Sequence, residues 1–293
     1  MSIVKSLSVG NGDMFYIKHN SDNFSIIDCS MSSEKRESIV DELKEESKNK
    51  GVKRFISTHP DQDHMMGLDY LDNTMSIANF YCVKNEATKS DETQDFIKYK
   101  ELRDSDKAFY IYISCSRKWM NQSDEERGSA GISILWPNTD NENYQQALEE
   151  AKEGKSPNNI SPIIKYSLEE GVTMLWMGDL ESDFMEKIKD ELSLPSTDIV
   201  FAPHHGRDSG KIPGSLLAQI NPKIVIIGEA PSEHLNYYSD YNTITQNSAG
   251  HITFECVTKK VHIYVEKSSY SVNFLKKEDK KDIYGNYIGT LNL

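Results

Sequence analysis

The sequence predicts an α/β fold, and three observations carry that prediction. Apolar runs of strand length recur along the chain, among them Phe24-Ser25-Ile26-Ile27, Arg54-Phe55-Ile56-Ser57, Val172 to Met177 and Ile224 to Ile227. Between such runs lie charged segments with apolar residues at helical spacing, as at Ile39, Val40 and Leu43. Several runs end in residues of one chemical kind: Asp28, the stretch from Thr58 to His64, Gly178-Asp179 and His204-His205-Gly206. Open α/β sheets place their chemistry at the carboxyl ends of their strands.

The 293 residues suffice for one large α/β domain or two small ones. With 37% apolar and 27% charged residues the composition is globular and rather polar. A formal net charge of −13 excludes a global attraction to nucleic acid or anionic lipid. A phosphate-rich substrate must therefore be drawn in by a local cationic site, and bound metal would supply one. Cys29, Cys82, Cys115 and Cys256 are far apart and form no C-x-x-C pair, so they read as buried small hydrophobes. The first fifteen residues lack a basic region followed by an apolar core, and no apolar run is long enough to cross a bilayer. The expected address is cytoplasmic, with no membrane partner.

Taken in order, Ile3 to Val9 alternates, Gly10-Asn11-Gly12-Asp13 is a turn signal before Met14 to Ile17, and Phe24 to Ile27 ends at Asp28. The chain opens as a β-meander. Asp28 either caps the following helix or orients a metal ligand. Ser32 to Lys50 suits a surface helix ended by Gly51, Val52 to Ser57 is a strand, and a helix begins near Met66. Lys84 to Asp106 is charged and partly helical, with Phe96, Tyr99 and Leu102 able to share a face, and Phe109 to Ser114 alternates as a strand would. Arg117, Lys118 and Trp119 form a small basic and aromatic group that reads as surface packing, with a place beside the active-site mouth as the rival.

Ile132 to Pro137 is a strand, Tyr144 to Lys152 a helix, and Pro162 to Tyr166 a strand that turns at Gly171 into Val172 to Met177. Glu181 reads as a helix N-terminal acid beside the dipole. A helix to about Leu192, a strand from Asp198 to Pro203 and another at Ile224 to Ile227 follow. The tail repeats short strands at Ile252 to Cys256, Val261 to Val265 and Ser271 to Phe274, and the last twenty residues read as peripheral.

The loop His59-Pro60-Asp61-Gln62-Asp63-His64 packs side chains that ligate metals when deprotonated into six positions. Carboxylates so close repel unless a cation, or a pair of cations, relieves them. Capping a helix needs one carboxylate and neither histidine. A calcium loop beginning Asp61-x-Asp63 would need an oxygen ligand at Met65 and a glycine at Met66, so that reading fails.

Asp28 in Ile-Ile-Asp-Cys, His59-x-Asp61-x-Asp63-His64, Gly178-Asp179 and His204-His205-Gly206 together resemble the successive motifs of the metallo-β-lactamase fold hydrolases. The likeness is greatest to the soluble domain of ComEC-type DNA-uptake proteins and stand-alone relatives, and it runs from about Ile3 to Phe274. It implies a four-layer αββα sandwich in a single domain over 1–293, with a variable insertion at about 84–130. Three departures stand out. The commoner family pattern has histidine where Asp61 stands and another ahead of the Gly-Asp strand, where this chain has Asn159 and Ser161. Arg207 follows His-His-Gly where related domains usually have serine, which brings a positive charge toward a substrate anion.

The resemblance implies two divalent ions, zinc or manganese, with His59 and Asp61 on one, Asp63, His64 and His205 on the other, and Asp179 bridging. The donor set, without thiolate, suits zinc, manganese or iron, and Asp61 in place of histidine favours a harder ion such as manganese. Two such ions roughly 3.5–4 Å apart lower the pKa of water and stabilise charge on a phosphoryl or acyl oxygen. Asp63 and His204 are the catalytic candidates, His204 to contact the substrate oxyanion or protonate the leaving group. Asp28, Asn159, Arg207 and His234 are expected around the substrate or behind the ligands, although His234 could equally serve only backbone groups. The expected activity is that of a phosphodiesterase or nuclease on a nucleotide or short nucleic acid. The alternatives are lactone, ester or amide hydrolysis, or a silent binding protein.

Overall fold

The computed structural model describes residues 1–230 and 236–293. Among them the protein is mixed α/β, with two sheets flanked by helices. Strands β1 (Ser2–Ser6), β2 (Phe15–Lys18) and β3 (Asn23–Ile27) form the antiparallel meander that the sequence predicts. The short β4 (Cys29–Ser30) and α1 (Arg36–Glu46) lead to β5 (Val52–Ile56), which runs parallel to β3. Next come α2 (Gln62–Met65), α3 (Leu68–Met75), β6 (Phe80–Cys82), α4 (Gln94–Arg103) and β7 (Ala108–Tyr110).

The second sheet is built from β8 (Ile132–Trp136), β9 (Ile163–Ser167), β10 (Thr173–Trp176), β11 (Ile199–Phe201), β12 (Ile224–Ile227) and β13 (Thr243–Thr245). Helices α5 (Glu142–Lys152), α6 (Ser182–Ile188), α7 (Gly214–Ile220) and α8 (Gln246–Ala249) are interspersed with these strands. The chain then returns to the first sheet as β14 (Ile252–Val257), β15 (Lys260–Val265) and β16 (Asn286–Asn292). The strand orders are β16-β15-β14-β1-β2-β3-β5-β6-β7 and β13-β12-β11-β10-β9-β8. In each sheet antiparallel neighbours give way to parallel ones, at β3-β5 in the first and at β10-β11 in the second.

Alternation within the strands explains how the layers stack. Phe15 and Ile17 of β2 share one buried cluster with Trp176, Phe201 and Ile226 of the second sheet. Tyr16, between them, faces a separate cluster with Phe24, Phe55, Val40 and Leu43, which packs α1, α3 and α4 on the outer face of the first sheet. Aromatic rings tie the two sheets together. Phe201 stacks on Trp176 at 4.7 Å and meets Phe15 edge-on at 4.9 Å and Phe254 at 6.0 Å.

The structure corrects several expectations. The helix expected near Met66 starts earlier, at Gln62, because Asp61 caps it, and it breaks at Met66. There Cys29 and Ser30 bridge to Met65 and Met66, and the Met66 carbonyl accepts the Met31 amide at 2.8 Å. Of Phe109 to Ser114, only Phe109 and Tyr110 lie in a strand, β7. Ser271 to Phe274 is not a strand. The edge beside β15 goes instead to β16, in the last twenty residues, and its Ile288 is fully buried. Both stretches could have paired, and sequence alternation does not choose between them. Arg117 lies over the rings of Phe109 (4.5 Å) and Tyr81 (5.1 Å), while the Trp119 carbonyl accepts from buried Arg54 at 3.0 Å, so that basic and aromatic group packs the 84–130 segment onto the first sheet. All four cysteines are buried and unpaired. No helix among the described residues is long and apolar enough to cross a membrane.

Phe201 is 5% exposed and meets rings of the first sheet at both Phe15 and Phe254. Phe201→Ala should cost about 3–5 kcal/mol in urea unfolding. A loss below about 1 kcal/mol would show that these rings do not hold the sheets together.

Candidate metal centre

Asp28 ends β3 in the left-handed region, at φ 57°. It caps no helix, since α1 starts at Arg36 behind Lys35. Its Oδ1 accepts the Thr58 amide at 2.7 Å, and its Oδ2 accepts the Thr58 hydroxyl at 2.6 Å and His64 Nδ1 at 2.9 Å. With Nδ1 committed in this way, His64 turns Nε2 inward, 3.0 Å from Asp179 Oδ1. Of the two roles open to Asp28, the geometry is that of a carboxylate orienting an imidazole.

His59 is buried at the end of β5. Thr58 Oγ1 donates to Asp28, so it can accept from His59 Nδ1 at 3.1 Å; Ser161 Oγ lies 3.2 Å from the same nitrogen. His59 Nε2 then faces Asp179 Oδ2 at 3.9 Å and has no hydrogen-bond partner. Asp61 behaves differently. Its Oδ1 accepts the Gln62 amide at 2.9 Å, capping α2, and also meets Lys89 Nζ at 2.5 Å. Asp63 Oδ2 lies 3.4 Å from His205 Nε2.

The second sheet supplies the other half. Gly178 takes φ +52°, and a Cβ there would lie 2.6 Å from Ser161 Oγ, so only glycine lets β10 turn Asp179 into the centre. The Gly178 carbonyl accepts the His204 amide at 3.0 Å, joining the ends of β10 and β11. His204 and His205 both have positive φ, at 51° and 58°. That strain directs His205 into the buried centre, while His204 remains partly exposed, with Nε2 3.7 Å from Asp179 Oδ2 and Nδ1 2.8 Å from Ser209 Oγ.

One residue of the centre escaped sequence reasoning. Asp13 precedes β2 and places Oδ1 3.1 Å from His205 Nδ1. Asp13, His64, Asp179 and His205 offer ligand atoms that all lie within 4.8 Å of one another, and this group could hold a metal ion. The available signal was Gly12 beside it. A Cβ on Gly12 would stand 2.5 Å from the Asp63 carbonyl, which accepts the Asp13 amide at 3.2 Å. His59, Asp61 and Asp63, expected as ligands, lie outside this group of four. Asn159 faces away, donating to Glu181 Oε2 at 2.8 Å and accepting the Glu181 amide at 3.1 Å; Glu181, ahead of α6, uses its carboxylate there. Arg207 reaches Asn11, and its Nε is buried without a partner. His234 lies outside the described residues.

The donor chemistry fits a cation. His59 Nε2 is buried without a hydrogen-bond partner, and His64 Nε2, His205 and Asp179 Oδ1 face only one another and the carboxylates of Asp13 and Asp63, at 3.0–3.6 Å. Buried polar atoms seldom stay unpaired. Two donors bonded to one ion at about 2.0–2.2 Å stand roughly 2.8–3.6 Å apart, and the His64–Asp179 and His205–Asp179 pairs measure 3.0 and 3.6 Å. Neither a protein-family model nor a curated protein matches this sequence.

Without an ion, protons must do the neutralising. Burial alone would lower the pKa of His64, but Asp179 and Asp28 reverse this and hold it well above 6.5. Burial likewise opposes protonation of His205, yet Asp13 and Asp179 lift it to about 10. His59, buried beside His64, is pushed down to about 3. Asp63 is lowered to about 2, its burial outweighed by His205 and His64, and Asp179 falls well below 3.8, its burial outweighed by His64 and His205.

For groups raised in the folded state, the stabilisation is complete below the unfolded value of about 6.5 and is lost as pH rises through the folded value. His59, depressed, adds nothing above that pH. The Tm of chelator-treated protein should therefore fall between pH 6.5 and about 10. Manganese or zinc, which need neutral imidazoles, should remove that decline. Equal alkaline losses with and without metal, followed by calorimetry, would count against a metal at this cluster.

Proposed function

We propose that the protein is a metal-dependent hydrolase of the metallo-β-lactamase fold that cleaves phosphodiesters in a nucleotide or short nucleic acid. The observation that carries this reading is the convergence of ligand atoms from Asp13, His64, Asp179 and His205, all within 4.8 Å of one another. The stacking of one buried cluster between the sheets and another beneath α1, α3 and α4 supports the four-layer αββα form. Four buried, unpaired cysteines suit a reducing, cytoplasmic setting.

In this reading His64, Asp179 and His205, with Asp63 beside them and Asp13 close to His205, would hold one divalent ion, and His59 and Asp61 would offer a place for another. Two imidazoles and two carboxylates suit zinc or manganese. Bound there, such ions supply a water of lowered pKa and charge stabilisation at a phosphoryl oxygen. The chain's own residues do the rest. Asp28 holds the ring of His64 from behind, and Asp13 lies 3.1 Å from Nδ1 of His205, on the side of that ring away from Asp179.

His204 is the residue placed to meet substrate. Burial lowers its pKa, so the ring is neutral near pH 7. A hydroxyl proton donated by Ser209 to Nδ1 leaves the ring proton on Nε2, facing the centre as a donor to a developing oxyanion. Arg207, the next residue but two, adds a cation near the mouth. The net charge of −13 favours compact substrates over long duplexes.

The test is a screen of the manganese- or zinc-loaded protein against bis-p-nitrophenyl phosphate, cyclic nucleotides, short DNA and lactones. Phosphodiester turnover should vanish in an Asp63→Ala, His64→Ala double variant, together with bound metal. His204→Ala should lose about 10²–10³ in kcat while keeping its metal. Activity surviving in the double variant would refute the assignment. Turnover of lactones alone would favour ester chemistry, and bound metal without any turnover would favour a binding protein.

A further inference from the structure

The ligand-type residues around Asp179 are not equivalent. His64 Nδ1 and His205 Nδ1 each meet a carboxylate, Asp28 at 2.9 Å and Asp13 at 3.1 Å. His59 Nδ1 meets only hydroxyls, Thr58 at 3.1 Å and Ser161 at 3.2 Å. A carboxylate behind an imidazole raises its basicity as a ligand, and a hydroxyl does so far less. The His59 side of the centre is therefore the weaker one.

That side also carries a cation of its own. Beyond β6 the chain crosses toward α5, where the Thr88 amide donates to the Ala151 carbonyl at 3.1 Å and the Thr88 hydroxyl to the Lys152 carbonyl at 2.8 Å. Farther on, Thr93 Oγ1 donates to Gln62 Oε1 at 2.8 Å. Between these anchors Lys89 extends its ammonium to Asp61 Oδ1 at 2.5 Å, with the Phe96 ring centroid 5.7 Å away. The same oxygen already accepts the Gln62 amide. Opposite, His59 Nε2 is buried, unpartnered and turned toward Asp179 Oδ2. A divalent ion using Asp61 would have to share that carboxylate with an ammonium, and like charges so close repel.

We infer that Lys89 competes with metal for Asp61, so that the centre fills in order: first the His64, Asp179 and His205 side, backed by Asp28 and Asp13, and the His59 and Asp61 side only when Lys89 withdraws. This rests on the metal-dependent reading above and assigns a role to the strap at the start of the 84–130 segment. Lys89 is a positioning residue in this scheme and touches no substrate.

Equilibrium dialysis of the intact chain against graded free manganese, read by elemental analysis, tests it without reference to turnover. Wild type should take up one ion at low free metal and a second only at much higher concentration. Lys89→Met should tighten the second step by about tenfold to a hundredfold and leave the first unchanged. Lys89→Arg, which keeps the charge, should behave as wild type, and Asp61→Asn should lose the second step alone. Two equal steps in wild type, or a second step unmoved by Lys89→Met, would overturn the role of Lys89 while leaving the metal-dependent reading intact. Failure of wild type to take up any ion would sink that reading itself.

Discussion

Asp179 is 2% exposed, and its carboxylate lies 3.0 Å from His64, 3.6 Å from His205, 3.7 Å from His204 and 3.9 Å from His59. A buried carboxylate without compensation is among the costliest features a fold can carry. The compensating rings come from both sheets, so the burial of Asp179 is tolerable only while the two sheets keep their relation. Phe15, Trp176, Phe201 and Phe254 provide that constraint. Phe15 lies two residues after Asp13, and Trp176 and Phe201 each lie three residues before Asp179 and His204. Packing between the sheets is thus transmitted over one turn of chain to the charged centre.

The backbone pays locally for this convergence. Asp28, His204 and His205 all adopt positive φ, a conformation costing a non-glycine residue about 1–3 kcal/mol. Asp28 and His204 are retained by bonds that a relaxed backbone would break. Thr58 offers both its amide and its hydroxyl to Asp28, and the His204 amide is held by the Gly178 carbonyl. Strain gathered at the ends of β3 and β11, and not in their middles, is what a site assembled from strand ends requires.

How much of this was legible in the sequence follows from which contacts are local in pattern. His59, Asp63, His64, Asp179 and His205 close apolar runs, and a polar ligand-type residue at that position is conspicuous. Asp13 was not conspicuous, because its partner His205 is far away in the chain and Gly10-Asn11-Gly12 already accounted for a turn. Asn159 was misleading for the opposite reason. It stands in a ligand-like segment, but its amide satisfies Glu181 at the start of α6. Alternation identified β14 and β15, yet whether β16 or Ser271 to Phe274 took the next edge depended on tertiary pairing, including His262 Nδ1 against Thr290 Oγ1 at 2.7 Å. The role of Lys89 could not be read at all, since it depends on where a strap anchored to α5 happens to cross the acidic loop.

The two sheets contribute to the centre by the same plan. Two residues before an antiparallel strand comes Asp13 in one sheet and Ser161 in the other, ahead of β2 and β9. The next strand ends in a carboxylate, Asp28 after β3 and Asp179 after β10. The parallel strand beside it ends in histidines, His59 and His64 after β5, His204 and His205 after β11. The contacts are reciprocal across the sheets: Asp13 meets Nδ1 of His205, and Ser161 meets Nδ1 of His59, at 3.1 and 3.2 Å. The plan is shared but its chemistry is not, because a carboxylate stands on one side where a hydroxyl stands on the other. Asp28 likewise points outward to hold His64 from behind, whereas Asp179 points inward among the rings. On the metal-dependent reading, an arrangement that repeats its geometry while breaking its charge in this way would make one half of the centre the stronger cation site and leave the other half to be controlled by whatever approaches Asp61.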